Sequence, residues 1–303
     1  MACLSPIFVR TPRGNVLAPC GRCIACCIAR QSSLNFLCEK ELQFTYKKGL
    51  GASFVTLTYK DSDVPYVLDS PYQTLVKSDL QKFLKRLRYY VNDSNIPSPK
   101  FLACGEYGDS LGRPHFHLVF FGLSDYLADR FVRESWPYGL FQVGALSAGG
   151  IRYVLKYITK SRVDREIELF YNSVGVQVPF VQHSQRLGHE WVFNHADEIV
   201  SNKYTFLYRG KRRLFPRSVR DLVYRITGVN PRDSVDEYLR SIHTNGESLD
   251  DFFARNTYNV SKDVYIKTIQ DHSACALPVS CRKPRELRTR PSWHIDFSEL
   301  DID

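Results

Sequence analysis

The chain has 303 residues, and 44% of them are hydrophobic, so it can bury the core of one large folded domain or of two smaller ones. Lysine and arginine number 41 against 32 aspartates and glutamates, and the formal charge of +9 favours an anionic partner such as nucleic acid. No stretch approaches the roughly twenty apolar residues of a membrane span and no apolar signal segment opens the chain, so we expect a soluble protein without a membrane partner.

The N-terminal segment PCGRCIACCIAR carries Cys20, Cys23 and Cys26 at C-x-x-C-x-x-C spacing. A C-G-x-C turn lets two thiolates converge on one tetrahedral ion, and we expect a structural Zn²⁺ there. Cys3 is the preferred fourth ligand and Cys27 the next, because adjacent residues have difficulty pointing the same way. An iron–sulfur cluster, or ordinary buried cysteines without a metal, would also be consistent with this spacing.

Hydrophobic periodicity predicts the elements that follow, with Ser78 and Ser124 as helix caps. In chain order we predict a helix over 29–44, a strand over 52–59, a helix over 77–91, strands over 100–108 and 114–122, a helix over 124–136, a strand over 139–146 and a helix over 149–160. The turn-rich DSLGR between the two consecutive strands indicates a hairpin. This order predicts an α+β fold, with a central antiparallel sheet flanked by helices.

The strand in GRPHFHLVFFG places His115 and His117 on the same face, because residues two apart in a strand point to the same side. Two imidazoles can hold one divalent metal if a neighbouring strand supplies a third ligand. The predicted hairpin would lay Glu106, in CGEYGD, beside them. The alternative is that these histidines are hydrogen-bonded core or surface residues.

The helix GGIRYVLKYITK gathers Tyr153, Lys156, Tyr157 and Lys160 on one face. A tyrosine oxygen can attack phosphorus to form a covalent ester, and lysine can stabilise the phosphate or phenolate charge. A solvent-facing helix would also carry lysines, and tyrosines often pack over a sheet edge. In a basic chain with a candidate metal site, phosphodiester chemistry is the more specific interpretation.

Taken in order, FVTLTY, RPHFHLVFFG and YVLKYITK resemble the three motifs of the HUH rolling-circle replication initiators. More narrowly, ACLSP with PCGRCIAC, and the later RRLFPRS, resemble the replication initiators of gokushovirus-type microviruses, which are small single-stranded DNA phages. The resemblance extends to about residue 220. It implies an HUH-like nuclease domain over 46–220, between a cysteine-rich, zinc-binding segment over 1–45 and a helical, basic extension over 221–303.

The resemblance implies that His115, His117 and Glu106 hold Mg²⁺ or Mn²⁺ against the scissile phosphate. It also implies two nucleophiles, Tyr153 and Tyr157, one opening the origin strand and the other acting when a round ends and the displaced circle is closed. Cleavage of single-stranded DNA at the phage origin would leave a 5′-phosphotyrosine link and a free 3′-OH for a host polymerase.

Further residues complete the expected site. Lys160 matches the family's lysine three residues after the second tyrosine, and helical geometry adds Lys156. Thr56 and Thr58 in FVTLTY are expected to brace the sheet floor. The chain has no G-x-x-x-x-G-K-[ST] phosphate loop, so unwinding would depend on a host helicase or on supercoiling, in the cytoplasm of the bacterial host.

Basic residues on one helix and in RGKRRLFPRSVRD are expected to contact the DNA backbone, although a solvated charged face would have the same composition. These candidates are Lys85, Arg86, Arg88, Lys211, Arg212, Arg213 and Arg217. A non-catalytic, zinc-containing DNA-binding protein and an HUH relaxase or transposase are the competing functions. A 2H-type phosphoesterase would need two H-x-[ST] motifs, whereas the chain has one H-x-H.

Overall fold

A computed structural model describes the chain over 3, 6–11, 14–108, 112–147, 149–160, 165–208 and 211–243. The chain divides into two compact units between Leu187 and Gly188. The predicted segment boundaries at residues 45 and 220 stay predictions. Most of the predicted C-terminal extension, including its basic run RKPRELRTR, lies outside the described residues.

The first unit contains both strand-rich and helical segments. Its elements are β1 (Ile7–Thr11), β2 (Gly14–Ala18), α1 (Ile24–Lys47), β3 (Ala52–Tyr59), α2 (Lys77–Asp93), β4 (Lys100–Tyr107), β5 (Pro114–Phe121), α3 (Asp125–Ser135), β6 (Gly139–Ala145), α4 (Gly150–Lys160), α5 (Arg165–Ser173) and β7 (Phe180–His183). β1 and β2 form a separate antiparallel pair before α1.

The central sheet of this unit has five strands in the order β6-β3-β5-β4-β7, and every neighbouring pair is antiparallel. This confirms the predicted α+β fold with an antiparallel sheet flanked by helices. The predicted hairpin is formed by β4 and β5, whose register pairs Glu106 with His115. On the other side of β5, β3 pairs Thr56 with His117.

The two faces of β5 have different environments because its side chains alternate. Phe116, Leu118 and Phe120 are buried in the main core, together with apolar residues of α2 and α3. His115 and His117 lie on the opposite face. There α4 packs against β4 and β5 and also along α1, so this face is covered by a second layer of helices.

The helix caps were predicted with mixed success. Ser124 caps α3 as expected, its side chain accepting a hydrogen bond from the Leu127 backbone N–H at 3.4 Å. The prediction for Ser78 is wrong, because α2 begins at Lys77 with Val76 at the cap position. The Leu75 N–H donates to the Tyr107 hydroxyl at 3.0 Å, which anchors the entering chain just before Val76 and starts the helix earlier.

The second unit begins at Gly188 and is mainly helical over its described part. Its elements are α6 (His189–Asn194), α7 (Ala196–Ser201), the antiparallel pair β8 (Thr205–Tyr208) and β9 (Lys211–Leu214), α8 (Arg217–Thr227) and α9 (Arg232–His243). Its buried apolar side chains include Val192, Ile199, Val219, Leu222 and Val223. No helix in the described part of either unit is long and apolar enough to cross a membrane.

The packing of the central sheet predicts unequal effects of two leucine truncations. Leu118→Ala removes a side chain that is 0% exposed, so we expect the free energy of unfolding to fall by about 2–5 kcal/mol. Leu140→Ala on β6 is the matched control, because that side chain is 71% exposed and should change stability by less than about 0.5 kcal/mol. Denaturant unfolding measures both, and equal losses would contradict the assigned core face.

Candidate active site

Three side chains converge on the α4-facing side of the sheet. One carboxylate oxygen of Glu106, Oε1, lies 2.9 Å from His115 Nε2 and 2.8 Å from His117 Nε2. The three ligand atoms lie within 4.8 Å of one another. Two imidazole nitrogens and a carboxylate oxygen at this spacing can hold one divalent metal ion.

Each imidazole is oriented through its other ring nitrogen. His115 Nδ1 donates to the Arg113 carbonyl oxygen at 3.0 Å, which leaves Nε2 as the metal-binding atom of the neutral ring. His117 Nδ1 lies 3.0 Å from Thr56 Oγ1, across the β3–β5 pair. Thr56 therefore braces the site as expected, whereas no hydrogen bond joins the Thr58 side chain to a histidine in the described structure.

The Glu106 carboxylate is buried, with 4% of its surface exposed. Burial by itself raises the pKa of a carboxyl group. Here hydrogen bonds from His115, His117 and Tyr157 outweigh that effect and lower the Glu106 pKa to about 2. The carboxylate is therefore charged at neutral pH, as a metal ligand must be.

The two tyrosines of α4 approach this carboxylate from above the sheet. Tyr153 Oη lies 3.4 Å from Glu106 Oε1 and 3.5 Å from His117 Nε2. The Tyr157 hydroxyl donates to Tyr153 Oη at 3.1 Å. Tyr153 is 42% exposed and Tyr157 is 5% exposed, so only the first phenol is open to a large substrate.

Both phenols are shifted away from ionisation. Burial and the nearby charge of Glu106 raise the pKa of Tyr157 well above its ordinary value. Burial also raises the pKa of Tyr153, and the hydrogen bond from Tyr157 acts in the opposite direction. At neutral pH both tyrosines therefore carry their protons. Of the two predicted lysines, Lys156 is half-buried, and the side chain of Lys160 lies outside the described residues.

The N-terminal thiols form a second cluster. Cys3 Sγ lies 3.8 Å from Cys23 Sγ, and Cys20 Sγ lies 4.0 Å from Cys26 Sγ. All four sulfurs lie within 4.8 Å of one another, close to the edge of about 3.8 Å expected for a tetrahedron of zinc–sulfur bonds. The Cys27 thiol instead donates to the Arg22 carbonyl at 3.5 Å, so Cys3 is the fourth member of the cluster.

Backbone groups support the cysteine cluster. Gly21 has a φ of 73°, a left-handed conformation that glycine adopts at low cost. The turn that follows directs the N–H groups of Arg22 and Cys23 at Cys20 Sγ, at 3.4 and 3.3 Å. Burial raises the pKa of the Cys20 thiol, but these donors outweigh it and lower that pKa to about 6. The cluster can therefore supply thiolate to a structural metal near neutral pH.

The candidate DNA contacts on α2 differ in their surroundings. Lys85 and Arg88 are exposed. Arg86 is half-buried, and its Nε donates to the Ser135 carbonyl at 2.8 Å, so this guanidinium joins α2 to the end of α3. The DNA-binding role of all three stays a prediction.

In the second unit, Arg212 and Arg217 are exposed and Arg213 is half-buried. Arg217 Nε lies 3.5 Å from Asp221 Oδ2 in an i,i+4 pair. The side chain of Lys211 lies outside the described residues. Their contact with DNA also stays a prediction.

Two contributors to the site were missed in the sequence. Arg113 acts through its backbone carbonyl, and its Nη1 also donates to Asp61 Oδ1 at 2.7 Å. Phe54 lies beside the site, with its ring centroid 5.6 Å from that of His117 and 6.0 Å from that of Tyr153. The alternation of β3 could have indicated Phe54, which shares a face with Thr56. No residue-type pattern indicates a carbonyl.

Comparison with known proteins supports the motif assignment. Residues 52–162, which contain all three motifs, match the replication-associated protein ORF2 family. The chain is 27% identical over 239 residues to replication-associated protein ORF4 of Chlamydia phage 1, covering 73% of this chain and 57% of that protein. It is 25% identical over 229 residues to replication-associated protein VP4 of Bdellovibrio phage phiMH2K, covering 67% and 66%.

A third relative, replication-associated protein ORF2 of Spiroplasma virus 4, is 28% identical over 161 residues, covering 48% of this chain and 49% of that protein. The chain thus spans about half to two thirds of the length of the relatives it matches. These matches confirm the resemblance to the replication-associated proteins of microvirus-type phages.

The orientation of His117 predicts a selective effect on metal binding. Thr56→Val removes the hydroxyl partner of Nδ1, and loss of such a partner weakens metal affinity by about 10–100-fold. Thr58→Val is the matched control on the same strand, and its affinity should stay near that of the wild type. Titration of Mn²⁺ followed by electron paramagnetic resonance measures both, and equal affinities would contradict the role of Thr56.

The cysteine cluster predicts that neighbouring thiols differ in importance. Cys26→Ser should lose most of about one equivalent of bound zinc and lower Tm by on the order of 5 °C, because a structural metal stabilises only the folded state. Cys27→Ser, at the adjacent position, should keep the metal. Elemental analysis and thermal unfolding measure both variants. Zinc loss from Cys27→Ser alone would show that the cluster is assigned to the wrong thiols.

Proposed function

We propose that this protein initiates rolling-circle replication of a phage genome by nicking single-stranded DNA at the origin through a tyrosine nucleophile. The observation that carries the proposal is the position of Tyr153 Oη, within 3.5 Å of two of the three candidate metal ligands. The similarity to replication-associated proteins of phages supports the biological setting.

Tyr153 is proposed as the first nucleophile because it is the exposed phenol of the pair. Its oxygen attacks phosphorus, the bond from phosphorus to the 3′ oxygen breaks, and the phenolic proton is balanced by the proton that the leaving 3′-OH gains. The products are a 5′-phosphotyrosine link and a free 3′-OH. The hydrogen bond from Tyr157 stabilises negative charge as it develops on Tyr153 Oη.

Glu106, His115 and His117 would hold Mg²⁺ or Mn²⁺ in this proposal. The ion would act as a Lewis acid that polarises the scissile phosphate. The protein side chains supply the remaining requirements. Thr56 and the Arg113 carbonyl hold the imidazoles in place, and the helical position of Lys156 and Lys160 directs positive charge to the side of α4 that bears the tyrosines.

Tyr157 is proposed to act later, when a round ends and the displaced strand is rejoined. A phosphotyrosine ester conserves the energy of the broken bond, so rejoining needs no ATP. A host polymerase would extend the 3′-OH, and a host helicase or supercoiling would separate the strands in the bacterial cytoplasm. An HUH relaxase or transposase would use the same chemistry on another substrate.

A non-catalytic DNA-binding protein is the second candidate function. The four-thiol cluster and the formal charge of +9 favour it, because zinc-stabilised basic proteins bind nucleic acid without cleaving it. This function leaves the hydrogen bonds between Tyr153, Tyr157 and Glu106 without a purpose.

A covalent-adduct assay tests the proposal. The full-length protein is incubated with Mn²⁺ and a random-sequence pool of single-stranded oligonucleotides labelled at the 3′ end, and the products are separated on a denaturing gel. We expect an adduct that EDTA abolishes, that Tyr153→Phe loses, and that Tyr157→Phe retains in a first round of cleavage. Tyr126→Phe is the control, because that tyrosine is 80% exposed on α3, far along the chain from the motif helix.

An adduct that persists in the double variant of Tyr153 and Tyr157 would overturn the proposed chemistry. DNA binding by the wild type without any adduct would favour the non-catalytic function. Sequencing the DNA recovered in a tyrosine-dependent adduct would identify the preferred cleavage sequence.

A further inference from the structure

A polar pocket of about 330 Å³ lies at the β7 edge of the central sheet, away from the metal-binding side chains. Its polar lining residues are Arg30 from α1, Gln81 and Arg88 from α2, and Gln182 and His183 from β7. Such a volume lies at the lower end of the roughly 300–1,000 Å³ that ligand pockets occupy. We refer to this feature as the edge pocket.

The edge pocket is positively charged. Its lining includes no aspartate or glutamate, and neither Arg30 nor Arg88 has a carboxylate partner within the part of the chain that the structure describes. Arg88 stacks over Phe101, with its guanidinium carbon 5.6 Å from the ring centroid. This contact holds the guanidinium in a defined position before a ligand arrives.

The remaining lining groups suit a ligand that has both charge and hydrogen-bonding edges. His183 Nδ1 donates to the Ser184 carbonyl at 2.9 Å, which leaves Nε2 available to a ligand. Two glutamine amides, of Gln81 and Gln182, each offer a donor and an acceptor. Arginine guanidinium groups bind phosphate through paired hydrogen bonds, and glutamine amides pair with base edges.

We propose that the edge pocket is a second DNA subsite, which binds a backbone phosphate and its nucleotide in a strand whose scissile phosphate lies at Tyr153. This inference rests on the proposed function. Phe101 and Glu106 are five residues apart on β4, so the edge pocket lies about 17 Å along the strand from the metal ligands at roughly 3.4 Å per residue. A single strand several nucleotides long spans that distance, whereas a free nucleotide does not.

The experiment measures DNA binding and adduct formation separately. Binding of a labelled oligothymidylate to the full chain is followed by fluorescence anisotropy in EDTA, between about 50 and 200 mM salt. The double variant Arg30→Gln and Arg88→Gln is compared with Arg130→Gln and Arg133→Gln on α3, which remove the same charge from arginines outside the edge pocket. A third double variant, Arg30→Lys with Arg88→Lys, keeps the charge. Adduct formation with Mn²⁺ is measured on the wild type and on all three double variants.

We expect the glutamine variant of the edge pocket to bind at least about tenfold more weakly at low salt, and its salt slope to fall by about 1.4, or 0.7 for each lost phosphate contact. The α3 variant should keep the wild-type slope, and the lysine variant should recover most of it. Deoxythymidine triphosphate should compete poorly, since the subsite reads one part of a longer strand.

The possible failures are distinguishable. If the wild type neither binds oligothymidylate nor forms an adduct, the proposed function and the edge pocket fail together. If the wild type does both while the edge-pocket and α3 variants have equal slopes, the edge-pocket proposal alone is overturned. Tight binding of deoxythymidine triphosphate that requires Arg30 and Arg88, without any change in DNA binding, would make the edge pocket a nucleotide site instead.

Discussion

The candidate active site depends on the register between β5 and its two neighbours. That register pairs Glu106 with His115 on one side and Thr56 with His117 on the other. A shift of one residue would turn every side chain of a strand to the opposite face and bury the imidazoles among the core aromatics. The apolar residues on the core face, such as Phe116 and Leu118, hold the register because any slip would expose them. The packing of the core therefore also fixes the chemistry of the other face.

The same arrangement separates the ionisation of neighbouring groups. Glu106 is surrounded by hydrogen-bond donors, so its carboxylate stays charged although it is buried. That charge acts with burial to raise the pKa of Tyr157 and Tyr153, so both phenols keep their protons. One short segment of sheet and helix thus holds a charged metal-ligand set beside neutral potential nucleophiles. Positive charge delivered to this place would favour both metal-site chemistry and phenolate formation.

The cysteine cluster is connected to this site through the helices. Its thiols lie at the start of α1, and α1 packs along α4, which carries Tyr153 and Tyr157. A structural metal at the cluster would fix the first turn of α1, because two of the four thiols would be joined across the chain from Cys3 to Cys23. The cluster therefore has a structural path to the tyrosines although it contains no residue of the site itself.

Local sequence patterns were sufficient to predict the sheet, its flanking helices and the face on which His115 and His117 lie, because strand alternation and helical periodicity are local properties. They also predicted that Glu106 would join the histidines, since a hairpin brings neighbouring strands together. Only the tertiary structure decided that Tyr153 is exposed and Tyr157 buried, that Cys3 and not Cys27 completes the thiol cluster, and that Arg113 orients His115. These outcomes depend on packing between distant segments and on backbone groups, which carry no signal in the residue types.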